Sequence, residues 1–246
     1  MHFSAYLESL RQFAEGQPEL YKKQTPLGLD VTQKPILAKE RASSLSFSHI
    51  CVNGSKRTAY IKRLLCTLST VYKKEEANYL ILSPKNEYNE LLRLQTMDIT
   101  APFIRSVEDI QKAQECVKEL VSLYKTGNGF PKLFIVLDSL EEVLPKKEND
   151  ELEEYRAFFD IVLRQQNVEI ISGVQLLGSI FSGYPGAYVG VGNTLITTRE
   201  DGKADITFVD GQSTLSLPMP LGYPTSPSFT ETVIALNATA AASEEK

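Results

Sequence analysis

Short apolar segments separated by helical ones constrain the fold of this chain more than any other feature. The apolar segments are 47–53, 78–83, 132–138 and 168–175, and the strongest is "KLFIVLD" at 132–138. Runs of this kind are typical of strands that are buried on both faces of a sheet. Helices are predicted between them at 59–72, 85–94, 107–124 and 149–166. This alternation predicts an α/β fold with a mostly parallel sheet flanked by helices.

The pattern changes after about residue 190. Short alternating strands are predicted at 193–198, 204–209 and 213–220. The dipeptides Asp201-Gly202 and Asp210-Gly211 between them are typical of hairpin turns. The sequence therefore predicts a C-terminal β-hairpin extension of the sheet.

The two ends of the chain differ from its centre. Apolar residues at helical spacing predict an N-terminal helix, which Gly16 and Pro18 interrupt. The segment "TPLGLD" at 25–30 has the composition of a turn. We therefore expect three parts: a helix and linker (1–24), one domain (25–238) and a flexible tail (239–246).

Composition limits the classes of partner. The 246 residues carry a formal net charge of −5. Proteins that grip nucleic acid over a wide surface usually carry a basic excess, so this balance argues against a nucleic-acid partner. No apolar run is long enough to span a bilayer, so we expect no membrane contact by this segment itself.

The cysteines and histidines suggest neither disulfides nor a metal centre. Cys51, Cys66 and Cys116 form no CxxC pair, so buried reduced thiols in the cytoplasm are expected. His2 and His49 are too few and too far apart for a metal cluster.

The junction after the first apolar segment resembles a phosphate-binding loop. Such a loop has the form GxxxxGK[ST] between a strand and a helix, and its backbone N–H groups surround the phosphates. Here Gly54 is followed by the run Ser55, Lys56, Arg57 and Thr58. The loop is shorter, it lacks the second glycine, and Arg57 stands in place of the lysine. A plain strand-to-helix turn is the alternative interpretation.

The strand 132–138 ends in Asp138, where an ATPase carries a metal-binding acid. A glutamate next to that acid usually activates the attacking water, but Ser139 follows here. Gln175 follows the next predicted strand, which we expect to lie beside 132–138, so Gln175 would face the same crevice. Alternatively, Asp138 caps a turn and Gln175 is a surface residue.

The order of these segments resembles the FtsK/SpoIIIE-type motor domain. The matching segments are "PLGLD", "SHICVNG", "NYLILSPKNEYNEL", "KLFIVLDSLEEV", "VEIISGVQ" and "VGNTLITTREDGKADITFVDG". The resemblance covers roughly residues 25–237. It implies a RecA-like P-loop NTPase fold, which this family uses for DNA translocation and, in EssC-like coupling proteins, for type VII protein secretion.

The resemblance also implies a site. Its vestigial nucleotide-binding residues would be Gly54, Ser55, Lys56, Arg57, Thr58, Asp138 and Gln175. Thr58 and Asp138 would hold Mg²⁺ if nucleotide binds. Because the loop is shortened and the glutamate is replaced, ATP and Mg²⁺ are expected to bind weakly or not at all, and an active ATPase is not expected.

Three functions follow from these features. The favoured one is a non-hydrolysing module that binds protein partners or secreted substrates, alongside neighbouring ATPase modules or further copies of itself. It would be cytoplasmic, tethered to the membrane if it is part of a longer chain. The second is an ATPase whose site is completed in trans. The third is a DNA translocase component with a basic patch at Lys56, Arg57, Lys62 and Arg63.

Overall fold

The computed structural model describes most of the N-terminal half and the central strands. The described residues are 2–38, 48–73, 75–93, 98–100, 109, 111, 112, 115, 119, 132–138, 168–173, 193–208 and 214–218. The helices are α1 (Phe3–Gly16), α2 (Pro18–Lys23), α3 (Arg57–Val71) and a 3-10 helix (Asn86–Arg93). The strands are β1 (Pro26–Leu29), β2 (Pro35–Leu37), β3 (Ser48–Asn53), β4 (Ala77–Leu82), β5 (Asp98–Thr100), β6 (Lys132–Asp138), β7 (Val168–Gly173), β8 (Asn193–Thr198), β9 (Lys203–Phe208) and β10 (Thr214–Pro218).

Within the described residues, eight strands form one sheet in the order β10-β9-β8-β3-β7-β6-β4-β5. The six strands from β8 to β5 in this order are parallel. Strands β9 and β10 continue the sheet in antiparallel register. This topology confirms the predicted α/β class and the C-terminal hairpin extension.

The central strands are buried, and most of their residues are apolar. Every residue of β4 and β7 is buried, as are Leu133 to Asp138 of β6. Helix α3 packs on one face, where Leu64 and Leu65 join Phe134, Val136 and Ile171 in the main hydrophobic core. This packing fixes the first turn of α3 next to the ends of the strands.

The N-terminal segment belongs to the same core. Helix α1 packs against α3 and buries Phe3, Tyr6, Leu7 and Leu10 there. The segment after α1 contains a second helix, α2, which Pro18 starts at the position where its missing N–H costs nothing. The predicted turn at 25–30 is wrong, because β1 pairs with β2. The division of the chain at residue 24 stays a prediction.

Arg63 attaches this segment to α3. Its guanidinium is fully buried and donates to the Tyr6 hydroxyl at 2.5 Å and to the Leu27 carbonyl at 3.2 Å. The same guanidinium lies 4.2 Å from the centroid of the Tyr60 ring. A buried charge needs such partners, so Arg63 is a structural residue of the core.

Other predictions fall at the edge of the described residues or beyond it. The helix expected at 85–94 is a 3-10 helix. The expected helix at 149–166, the Asp210-Gly211 turn, Gln175 and the tail 239–246 lie outside the described residues.

Candidate nucleotide site at the carboxyl edge of the sheet

The parallel strands bring the predicted site residues to one edge of the sheet. Strands β6 and β7 pair so that Asp138 stands opposite Gly173. Strand β3, which leads into the loop at Gly54, pairs with β7 on its other side. Ligands of open α/β sheets bind at this carboxyl edge, so the placement agrees with a nucleotide-type site.

The Asp138 carboxylate is fully buried and is held by three side chains. Arg57 Nε donates to its Oδ1 at 3.1 Å. The Thr58 hydroxyl and the Tyr88 hydroxyl donate to its Oδ2 at 2.8 Å and 2.7 Å. Arg57 and Thr58 are the first two residues of α3, so the helix start delivers both donors to the acid.

Arg57 neutralises this acid. Its side chain is 12% exposed and that of Asp138 is 0% exposed, so the ion pair is largely removed from water. A carboxylate and a hydroxyl are suitable ligands for Mg²⁺. With a guanidinium on Oδ1, however, a second positive charge beside the same carboxylate would be repelled. In this arrangement the residues do not fit a metal ion, and the described residues contain no cluster of three or more metal-binding side chains elsewhere.

Tyr88 was not predicted as a site residue. It lies in the 3-10 helix, 50 positions before Asp138. Burial raises the pKa of its phenol well above 10, and the neighbouring Asp138 carboxylate raises it further. Tyr88 therefore stays protonated and donates its hydrogen bond across the ordinary pH range. Nothing in the local sequence signals this contact, because it depends on how β4 and β6 align.

Gly173 makes room for the carboxylate. A Cβ at this position would overlap with Asp138 Oδ1 and with the Ile61 side chain. The glycine therefore allows Asp138 to turn toward α3, where Arg57 and Thr58 meet it.

The loop between β3 and α3 is a tight turn with internal partners. Gly54 has φ +95°, which favours glycine, and the Arg57 N–H donates to the Gly54 carbonyl at 3.2 Å. The Lys56 N–H donates to the Thr198 hydroxyl at 3.2 Å. The Ser55 hydroxyl donates to the Glu200 carboxylate. Thr198 and Glu200, which the sequence did not single out, thus take donors that an anion-binding loop would offer to phosphate.

Three of the four residues of the basic patch considered for DNA binding have internal partners, whereas the Lys56 side chain is 43% exposed. Arg63 is buried and bound to Tyr6 and Leu27, and Arg57 is paired with Asp138. Lys62 lies 3.0 Å from Glu90, and both side chains are mostly covered. Positive side chains on α3 therefore face internal partners rather than a polyanion.

The site residues thus divide into two groups. Arg57, Thr58 and Asp138 come together in one network, and Gly54, Ser55 and Lys56 form the adjoining turn. Gln175 lies outside the described residues.

The chain is similar in fold to several solved structures. The chain is similar to the cytoplasmic domain of the type VII secretion ATPase EccC from Thermomonospora curvata, with TM-score 0.58 and 15% identity over 87% of this chain and 31% of that one. It is also similar to ATPases 2 and 3 of the same EccC in complex with a signal sequence peptide, with TM-score 0.56 and 10% identity over 83% and 41%. The chain has the fold of these ATPase modules.

Two further proteins share the fold. ATPases 2 and 3 of EssC from Geobacillus thermodenitrificans match with TM-score 0.54 and 13% identity, over 88% of this chain and 49% of that one. The pCW3 conjugation coupling protein TcpA, with ATPγS, matches with TM-score 0.55 and 13% identity, over 87% and 70%. No protein-family model and no curated protein matches the sequence. The chain thus spans less than half of the EccC and EssC structures that it resembles.

Among the described residues, no helix is both long enough and apolar enough to cross a membrane.

Proposed function

We propose that this chain is an FtsK/SpoIIIE-like module that does not hydrolyse ATP and that binds protein partners or secreted substrates in a type VII secretion-like machine. The observation that carries the proposal is the network at Asp138. Arg57, which stands where an ATPase binds phosphate, donates instead to the acid of the same site.

The free-energy balance favours the closed network. A metal at Asp138 would have to displace Arg57 from a buried carboxylate. The metal would replace the positive charge beside Asp138, but the Arg57 guanidinium, whose side chain is 12% exposed, would lose the acid that it pairs with. Nucleotide binding would have to compensate for that loss in addition to forming its own contacts.

The loop and the end of β6 add two further obstacles, one to phosphate binding and one to hydrolysis. A phosphate cradle needs several backbone N–H groups that converge on the anion. Here the N–H groups of Lys56 and Arg57 already have internal acceptors. Ser139 follows Asp138 in the sequence, so the carboxylate that would activate water is missing there.

The proposed partners come from the structural relatives. EccC was solved with a signal sequence peptide bound to its ATPases 2 and 3. We therefore propose a peptide signal of a secreted protein as the first partner class, and neighbouring ATPase modules or further copies of the chain as the second. On this proposal the module is cytoplasmic and is tethered to the membrane through a longer chain.

Calorimetric titration with Mg·ATP tests the loss of nucleotide binding. The wild type is compared with Arg57→Ala and Asp138→Asn, with Lys22→Ala as the control, because Lys22 forms an exposed pair with Glu19. We expect no binding heat at millimolar nucleotide for the wild type or the control. Micromolar binding by the wild type that both site variants lose would overturn the proposal.

Peptide binding is tested by fluorescence anisotropy with a labelled C-terminal signal peptide of a small secreted substrate. A scrambled peptide of the same composition is the control. We expect saturable binding of the signal peptide that Mg·ATP does not change. Equal binding of both peptides would contradict the proposed partner class.

An ATPase completed in trans is the second candidate. The observation in its favour is that Thr58 Oγ1 and Asp138 Oδ2 lie 2.8 Å apart, as two neighbouring oxygens at a metal site could. It requires a neighbouring subunit to draw Arg57 away from the acid. This candidate predicts that phosphate release per molecule rises with protein concentration, and a constant zero rate would exclude it.

A further inference from the structure

The turn between β8 and β9 lies directly on the loop that follows β3. The Thr198 hydroxyl accepts the Lys56 N–H at 3.2 Å and donates to the Asn53 carbonyl at 2.8 Å. Thr198 is 6% exposed, so these hydrogen bonds are shielded from water. One side chain thus connects the end of β3 with the start of α3.

The end of β8 also lies against the backbone of the loop. A Cβ on Gly54 would overlap with the carbonyl oxygen and the hydroxyl of Thr198. Gly54 therefore has no room for a side chain on the side that faces β8.

Glu200 adds a negative charge at the same place. Its carboxylate accepts the Ser55 hydroxyl, and Lys56 Nζ lies 3.9 Å from Oε2. The same ammonium donates to the Glu200 carbonyl at 3.2 Å. A hydroxyl, an ammonium and a backbone N–H are the donors that phosphate oxygens would use.

We propose that residues 198–200 are an autoinhibitory cap that keeps phosphate groups away from the loop at Gly54, Ser55 and Lys56. This inference rests on the proposed function, in which the loop is the remnant of a phosphate-binding loop. It adds a second barrier that is separate from the Arg57–Asp138 pair. In the cap, the Thr198 hydroxyl accepts a hydrogen bond from the Lys56 N–H. The Glu200 carboxylate accepts one from the Ser55 hydroxyl and lies beside the Lys56 ammonium.

Calorimetric titration with inorganic tripolyphosphate, without metal and at low salt, tests the cap. The double variant Thr198→Val/Glu200→Gln removes the Thr198 hydroxyl and the negative charge of Glu200 at nearly constant volume. We expect it to bind tripolyphosphate at least ~10-fold more tightly than the wild type, which corresponds to about 1.4 kcal/mol. Asp201→Asn is the control, because it removes one negative charge from the same turn without a described contact to the loop.

Each outcome decides the inference. Equal affinity of the double variant and the wild type, including no binding by either, would overturn it. An equal gain in Asp201→Asn would also overturn it, because net charge would then explain the effect. Circular dichroism checks the fold, and if Thr198→Val unfolds the protein, Glu200→Gln alone is compared with Asp201→Asn by the same criteria.

The cap and the proposed function can fail separately. The tripolyphosphate experiment leaves Arg57 and Asp138 intact and uses no metal. The proposed function is decided by Mg·ATP and the wild type. Equal tripolyphosphate affinity of the double variant and the wild type, with no Mg·ATP binding by the wild type, would refute the cap and leave the proposed function standing. A gain in the double variant, with equal binding of the signal peptide and the scrambled peptide, would keep the cap and contradict the proposed partner class.

Discussion

Arg57 and Asp138 are 81 positions apart in the chain and form an ion pair with 3.1 Å between Nε and Oδ1. In the motif that this sequence resembles, the two positions serve a phosphate and a metal ion. Here they bind each other. The site is therefore satisfied by its own side chains, and the fold retains the arrangement of an ATPase while its central acid is neutralised internally.

Replacing Arg57 by alanine should destabilise the protein strongly. It leaves a fully buried carboxylate without its cation, and such losses amount to about 3–5 kcal/mol. Urea unfolding of Arg57→Ala against the wild type measures this. Lys22→Ala, which breaks an exposed pair, should leave stability nearly unchanged. A loss below about 1 kcal/mol for Arg57→Ala would mean that water or another cation reaches Asp138.

Gly173→Ala should disturb the same network from the other side. The new methyl group would overlap with the Asp138 carboxylate and with Ile61, and overpacking of this kind costs about 1–3 kcal/mol. Gly16→Ala is the matched control, since a Cβ there meets no atom within 4 Å and alanine favours the helix by up to about 1 kcal/mol. The midpoint temperature of thermal unfolding should therefore fall for Gly173→Ala, and it should stay unchanged or rise for Gly16→Ala. A Gly173→Ala protein as stable as the wild type would show that the carboxylate has room to move.

Strands β3, β4, β6 and β7 could be predicted from sequence because burial on both faces leaves uninterrupted apolar runs. The position of β7 beside β6 was predicted, whereas the order of the other strands was not. Strand β1 was missed because "TPLGLD" carries turn residues, and its pairing with β2 is decided by contacts with α1 and α3 rather than by local preference.

The sequence predicted where the site residues lie, but not that they are paired with one another. The sequence placed Arg57, Thr58 and Asp138 at one edge because motif order fixes which strand ends meet. It could not show that Arg57 turns to Asp138, or that Tyr88 and Thr198 complete the closure. Those contacts depend on side-chain directions and on the register between strands distant in the chain.

Stability should fall in mild acid because of His49. Burial lowers the pKa of His49 from 6.5 to about 4. Between those values the unfolded chain binds a proton that the folded chain does not, so stability is complete above pH 6.5 and decreases as the pH falls toward 4. The full difference corresponds to about 3 kcal/mol.

The His49→Gln variant isolates this effect from that of the carboxylates. Urea unfolding of both proteins is measured from pH 7 to pH 4. The difference in unfolding free energy between wild type and variant should shrink or reverse as the pH falls. A difference that stays constant from pH 7 to pH 4 would show that His49 takes up its proton equally in the folded and the unfolded chain.

Tyr88→Phe and Tyr79→Phe form a matched pair that tests the hydroxyl at Asp138. Both tyrosines are buried, but the Tyr88 hydroxyl donates to a carboxylate, whereas the Tyr79 hydroxyl has no hydrogen-bond partner within the described part of the chain. A hydrogen bond to a charged group contributes about 1.5–3 kcal/mol, so Tyr88→Phe should lose about 2 kcal/mol. Tyr79→Phe should be neutral or stabilising, because it removes a buried polar atom that gains nothing in return. Equal losses of unfolding free energy in both variants would mean that packing around Tyr88, rather than its hydrogen bond to Asp138, explains the loss.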